Sequence, residues 1–256
     1  MTGVLARFAV AALLPCAALA QQRTADGKPD ISGIWQARNV AFADLEDHGA
    51  SMGIPAGRGV IVDPPDGKIP YQPWAAERRK ENYKNRATAD PLGKCFLAGV
   101  PRINYLPFPF QIFQTPKFVA MAYEYDHATR TISLDGSKHL PDIDFWMGDS
   151  RGHWEGNTLV VEVVDLNEAT WLDLAGDFHS GEIKVTERYT RTGPDTLQYE
   201  ATIEDPKVYT RAWKISMPLY RHTEKDFQLY EYECHDYLED AQKNQAQKDP
   251  ATKGAK

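Results

Sequence analysis

From Phe110 onward the chain is written in period two. Short segments rich in β-branched and aromatic residues alternate apolar with polar side chains, and each closes on a turn signal. Gly156-Asn157 separates His153-Trp154-Glu155 from the run 158–164, a short hairpin signature. Thr192-Gly193-Pro194-Asp195 separates 183–191 from 196–204 in the same way. Segments 111–115, 118–126 and 129–134 come before these, and 209–217 with 227–234 form a last pair. With 31–37 near the start, the count is about nine strands. Sequential hairpins give an antiparallel meander, which closes into a barrel or folds as a sandwich to remove its edges. Little sequence is left for helical crossovers, which argues against a doubly wound α/β sheet.

The region before the strands is different. Residues 49–73 are rich in Pro and Gly and cannot sustain a helix or a central strand. Residues 73–86 predict one short helix, with Pro73 in its first turn and good helix formers after it. A turn-rich connector, 90–102, leads into the strands.

The first twenty residues predict export. Arg7 precedes a short apolar run, and Ala18-Leu19-Ala20 has the small-x-small form of a cleavage site. The run is too short for a membrane span, which needs roughly 20 apolar residues, and no later run is long enough. Pro15 stands where a lipoprotein signal needs a small residue before Cys16. The organisation expected is therefore a signal peptide over 1–20, cut after Ala20, one barrel domain over 21–237, and a polar tail over 238–256. The compartment expected is the periplasm or the exterior. Removing the peptide leaves two of three cysteines, Cys95 and Cys234. In an oxidising compartment they suggest one disulfide, the alternative being two buried thiols.

The hydrophobic fraction is 42% and the charged fraction 25%, the balance of a globular chain. A net charge of -7 argues against a nucleic-acid partner. No feature dictates an oligomeric state.

Period-two alternation identifies polar groups on apolar faces. Glu187 shares a face with Ile183, Val185 and Tyr189. Asp205 falls with Leu197, Tyr199, Ala201 and Ile203. Arg211 falls with Trp213 and Ile215, and Glu231 with Phe227 and Leu229. An inward carboxylate is costly unless paired, so these residues suggest a polar ligand site, a group poised for proton transfer, or a packing ion pair.

Gly148-Asp149-Ser150-Arg151-Gly152 matches the nucleophile-elbow pattern G-x-S-x-G. The elbow needs a strand before it and a helix after it, whereas a hairpin follows here, so a tight turn is the plainer expectation. None of the seven His makes a zinc-ligand spacing. His139 and His179 have the chemistry of acid–base groups near pH 7, or are exposed loop residues. No Gly-rich loop opens a helix, so no nucleotide cofactor is expected, and no metal either.

Several stretches together resemble a family of uncharacterised secreted bacterial proteins. They are PDISGIW (29–35), DPLGKCFLAGVPR (90–102), PFPFQIFQTP (107–116) and WMGDSRGHWEGNTLVVE (146–162). FHSGEIKVTERY (178–189), YEATIEDPKVYTRAW (199–213) and YECHD (232–236) complete the set. The resemblance covers most of the mature chain and implies a lipocalin-like (calycin) β-barrel. It carries no activity. The family has a Cys at both cysteine positions, in agreement with a disulfide. It commonly has Arg in place of His153, which makes His153 a poor catalytic candidate, while Asp149, His179, Glu187 and Asp205 match its polar positions.

The reading is an all-β, antiparallel lipocalin-like barrel acting on a small, partly apolar organic molecule. As a cofactor-independent isomerase, hydratase or lyase it would use His179, Glu187 and Asp149 for catalysis, with Asp205, Arg211, Glu231 and His139 binding substrate. The alternative is a non-catalytic carrier of the same fold, and the weakest reading is a hydrolase using Ser150.

Overall fold

A computed structural model describes residues 22–51, 54–141 and 143–240. Residues 1–21, which include the expected signal peptide, and tail residues 241–256 lie outside the described residues. The chain forms one ten-stranded sheet, nine of whose strands close into a barrel. They are β1 Gly33–Ala37, β3 Phe110–Gln114, β4 Phe118–Tyr123, β5 Thr129–Ser133, β6 Asp149–Glu155, β7 Thr158–Val164, β8 Lys184–Gly193, β9 Thr196–Glu204 and β10 Trp213–Arg221. β1 pairs with β3 on one side and β10 on the other, which closes the ring. The tenth strand, β2 Ile61–Asp63, adds to the first half of β10.

The all-β barrel expected from the sequence is present, with one correction to its pairing. β5 and β6 run parallel, meeting at Ser133 and Arg151, so the barrel is mixed. A parallel neighbour needs a crossover in place of a tight turn, and residues 134–148 supply it.

Alternation works as expected in the long strands. Val185, Glu187, Tyr189 and Arg191 of β8 point inward, as do Leu197, Tyr199, Ala201 and Ile203 of β9. The interior is filled: Trp35, Trp213, Tyr105, Tyr189, Tyr199 and Phe110 are fully buried there.

The last pair needs correction. Strand β10 runs four residues later than the expected 209–217, because residues 205–212 form the turn out of β9. Pro218 is tolerated because it falls between the stretch of β10 that pairs β2 and the stretch that pairs β1. Residues 227–234 form no strand. They run as a strap over the barrel, with a bridge between Tyr125 and Tyr232, ring contacts of Tyr232 with Phe108 and Tyr125, and a hydrogen bond from the Tyr230 amide to Glu124, and 234–240 are helical.

Helix α1, Pro73–Ala89, starts with Pro73 as expected and ends at Asp90, where Pro91 disfavours further helix. The side chain of Asp90 accepts from the Leu92 amide and starts a 3-10 turn, Pro91–Lys94. It also takes both terminal nitrogens of buried Arg102, at 2.8 and 2.7 Å. That turn delivers Cys95 to Cys234, and the two form a disulfide across 139 residues of sequence. Such a bond indicates an oxidising extracellular or periplasmic setting. No helix among the described residues is long and apolar enough to cross a membrane.

The bridge ties the strap and the 3-10 turn together. Replacing both partners, Cys95→Ala with Cys234→Ala, is expected to cost about 2–5 kcal/mol of stability. Thermal unfolding followed by circular dichroism checks this. An unchanged midpoint would show that the strap contributes nothing to holding the fold.

Candidate functional site

Glu187 is fully buried in the middle of the barrel, and four residues donate to it. Its Oε1 accepts from Asn104 Nδ2 at 2.8 Å, Tyr199 OH at 2.8 Å and Tyr189 OH at 3.0 Å. Its Oε2 accepts from the Arg130 guanidinium. Arg130 Nε in turn donates to Ser150 Oγ at 2.9 Å, and Tyr123 OH donates to Asn104 Oδ1 at 2.9 Å. Burial pushes the hydroxyls of Tyr123, Tyr189 and Tyr199 above their ordinary value, so all three stay neutral donors. Burial opposes the charge on Arg130, but Glu187 outweighs it and the guanidinium stays protonated. This cluster is a buried ion pair in which both Glu187 oxygens are satisfied, the arrangement that makes such a pair tolerable, while Arg130 Nη1 is buried without a hydrogen-bond partner.

The elbow reading of Ser150 is overturned here. Ser150 is the second residue of strand β6, faces the barrel interior and accepts from Arg130. Neither a strand–turn–helix frame nor a His partner accompanies it among the described residues.

The other candidates lie elsewhere. His179 is buried, with Nδ1 on the Ser180 carbonyl at 2.8 Å and Nε2 on Thr170 Oγ1 at 2.7 Å. Burial lowers its pKa, and it shares no hydrogen-bond partner with Glu187. Asp205 is buried just past β9 and holds the following turn. It accepts from the amides of Ser180, Lys207 and Val208 and from Ser180 Oγ.

Asp149 and His139 do meet, at 3.0 Å, but on the outer face of β6, opposite Ser150. Burial alone would raise the Asp149 carboxyl. The Leu140 amide, His139 and Arg151 outweigh it and hold the group below its ordinary value. His139 also reaches Glu162 Oε1 at 3.2 Å.

Arg211 is not inward. It lies in the turn before β10, exposed, and pairs with Asp63 at 2.7 Å. Glu231 is exposed on the strap, because no strand forms there to impose an inward face.

A second polar cluster joins α1 to the loop 172–177. Asp44, Asp173 and Asp177 bring carboxylate oxygens within 4.8 Å of one another, the one such acidic group among the described residues. Arg79 pairs with two of the three. Its Nε donates to Asp177 at 2.9 Å and its Nη2 to Asp44 at 3.2 Å. Tyr71 OH donates to Asp177 at 2.9 Å. Asp173 accepts the amides of Leu45 and Asp177, while burial and the neighbouring Asp177 raise its pKa well above the usual carboxylate range.

Beside that cluster lies a cleft of about 510 Å³. One wall is α1 with Arg78 and Asn82, another the connector with Lys94 and Phe96. Trp146 of the β5–β6 crossover stacks on Phe96, with centroids 4.7 Å apart and planes 5° from parallel. Trp171 and Phe178 line the cleft from the loop after β7. None of its seven named residues stood out in the sequence, since each sits in a turn or on a polar helix, where aromatics and polar groups carry no period. Arg130 was more legible: it alternates with Ile132 on β5, the same face signal that marks Glu187.

Neither a family model nor a curated protein matches the sequence.

Two outcomes follow from these geometries. Glu187→Gln leaves the Arg130 charge buried without its partner and is expected to destabilise by about 3–5 kcal/mol, while replacing both residues by Leu and Met restores most of the loss. Denaturant unfolding of the single and double variants measures this, and equal loss in both would refute the charge argument.

His179 has a folded pKa below that of the unfolded chain, so the unfolded state binds the extra proton. Its contribution to stability is present above about pH 6.5 and is lost as pH falls through that value. Unfolding free energies at pH 7.5 and 5.5 should therefore differ more for the wild type than for His179→Gln.

Proposed function

We propose that this chain is an exported small-molecule binding protein whose ligand occupies the cleft between α1, the connector and the loop after β7. Export rests on the signal pattern over residues 1–20, with cleavage after Ala20, and on the disulfide. The observation that carries the binding reading is the cleft itself, open to solvent and lined by Phe96, Trp146, Trp171 and Phe178. Its volume lies within the range of small-molecule sites, roughly 300–1,000 Å³.

The geometry favours a carrier over an acid–base enzyme. Both oxygens of Glu187 and both nitrogens of His179 are engaged by the protein's own atoms. A general base needs a proton within hydrogen-bond reach, and Glu187 has only Asn, Tyr and Arg donors around it. The lipocalin-like shape implied by the family resemblance agrees with a carrier, but the pocket it uses would be at the side of the barrel instead of inside it.

Native mass spectrometry of protein purified from its own periplasm tests this. A small molecule should co-purify and be recovered unaltered after incubation, and Trp171→Ala should release it. A wild-type protein that carries nothing, with tryptophan fluorescence indifferent to planar organic probes, would overturn the reading.

A further inference from the structure

The chemistry of the cleft specifies its ligand further, on the condition that the cleft is a binding site as proposed above. The chain as a whole is acidic, at -7. The charged residues lining the cleft reverse that sign: Arg78 and Lys94 against Glu168. Both cations are exposed, and neither is ion-paired to a carboxylate among the described residues. Arg78 Nε rests on the neutral amide oxygen of Asn82 at 3.2 Å. Their neighbours behave differently: Arg79 is committed to Asp44 and Asp177, and Lys80 to Glu77. A cleft with low-dielectric walls focuses such a field and draws in anions.

The apolar part of the site is flat. Phe96 and Trp146 lie face to face, yet Phe96 remains 45% exposed. An aromatic surface left uncovered inside a concave site fits a flat ring laid against it, in the offset geometry that aromatic pairs prefer. Trp171 and Phe178 also line the cleft. The cleft volume of about 510 Å³ suits a molecule of one or two rings.

We infer that the ligand is a planar aromatic carboxylate, with its ring against the Phe96–Trp146 wall and its carboxylate between Lys94 and Arg78. Arg78 offers its terminal nitrogens and Lys94 three donors, the groups that recognise a carboxylate by charge-assisted hydrogen bonds.

The test compares 2-naphthoate with 2-naphthamide, which has the same ring and shape without the charge. Binding to the full exported protein is followed by calorimetry and tryptophan quenching. The carboxylate is expected to bind about tenfold tighter at low salt. That preference should shrink in Lys94→Gln and Arg78→Gln, vanish in the double variant, and weaken as salt is raised. Both substitutions are at exposed positions, and retained thermal midpoints confirm folding. Equal affinity for the two probes, with no effect of Lys94→Gln or Arg78→Gln, overturns the carboxylate inference while leaving the cleft as a binding site. Failure of either probe to bind the wild type, with Trp171→Ala indistinguishable from it, removes the binding reading and this inference with it.

Discussion

The five residues of β1 hold the barrel shut. Gly33 to Trp35 pair with β3, and Trp35 to Ala37 pair with β10, so a single short strand satisfies the edges of both. Without it the sheet would present two open edges, the hazard that closure removes. Trp35 sits at the join, fully buried, and its indole nitrogen donates to the Ile31 carbonyl at 2.9 Å. Gly33 is required at the start of the strand. Its φ is +136°, and a Cβ there would meet Arg221 Nε at 2.8 Å. Closure therefore depends on one residue without a side chain beside one with the largest.

A barrel closed in this way has a fixed interior, and this one is occupied. Large rings fill it, and at its centre Arg130 and Glu187 face each other among three tyrosines and Asn104. The pair is expensive to bury and is tolerated because Glu187 accepts from Arg130, Asn104, Tyr189 and Tyr199, although Arg130 Nη1 is left without a partner. A carboxylate whose acceptors are all used by the protein is a poor handle for a ligand, and the proposed function places recognition outside the barrel, where the N-terminal segments and the β7–β8 loop leave a cleft.

The sequence made the barrel legible because strands repeat every two residues and the turns between them use Gly, Asn and Asp. Glu187 stood out for the same reason, as a charge on an apolar face. Legibility failed where no period exists. Alternation does not extend to Arg211 and Glu231, which lie in a turn and a strap where no ladder enforces it. The parallel contact between β5 and β6 is invisible locally, because it depends on where a long crossover lands. His139 and Asp149 were found as residues, but their meeting on the outer face depends on the loop that folds back over β6. The cleft depends wholly on tertiary placement: Arg78 belongs to the helix, Lys94 and Phe96 to the connector, Trp146 to the crossover and Trp171 to a later loop.

Three walls of that cleft are fixed by a contact one residue away. Arg79, next to Arg78, pins α1 to Asp177, which is next to Phe178. Cys95, between Lys94 and Phe96, is bonded to Cys234. Thr170, next to Trp171, is tied to His179, which follows Phe178. Side chains that face the cleft thus alternate with side chains that anchor the same backbone. An exposed aromatic or cation on a free loop would have to be ordered by its ligand, at a cost in binding energy. Here the disulfide, the Asp–Arg cluster and the buried histidine meet that cost during folding. His179, a candidate acid–base group in the sequence, holds Thr170 beside the cleft, and Phe178 and Trp171 next to these two residues line it.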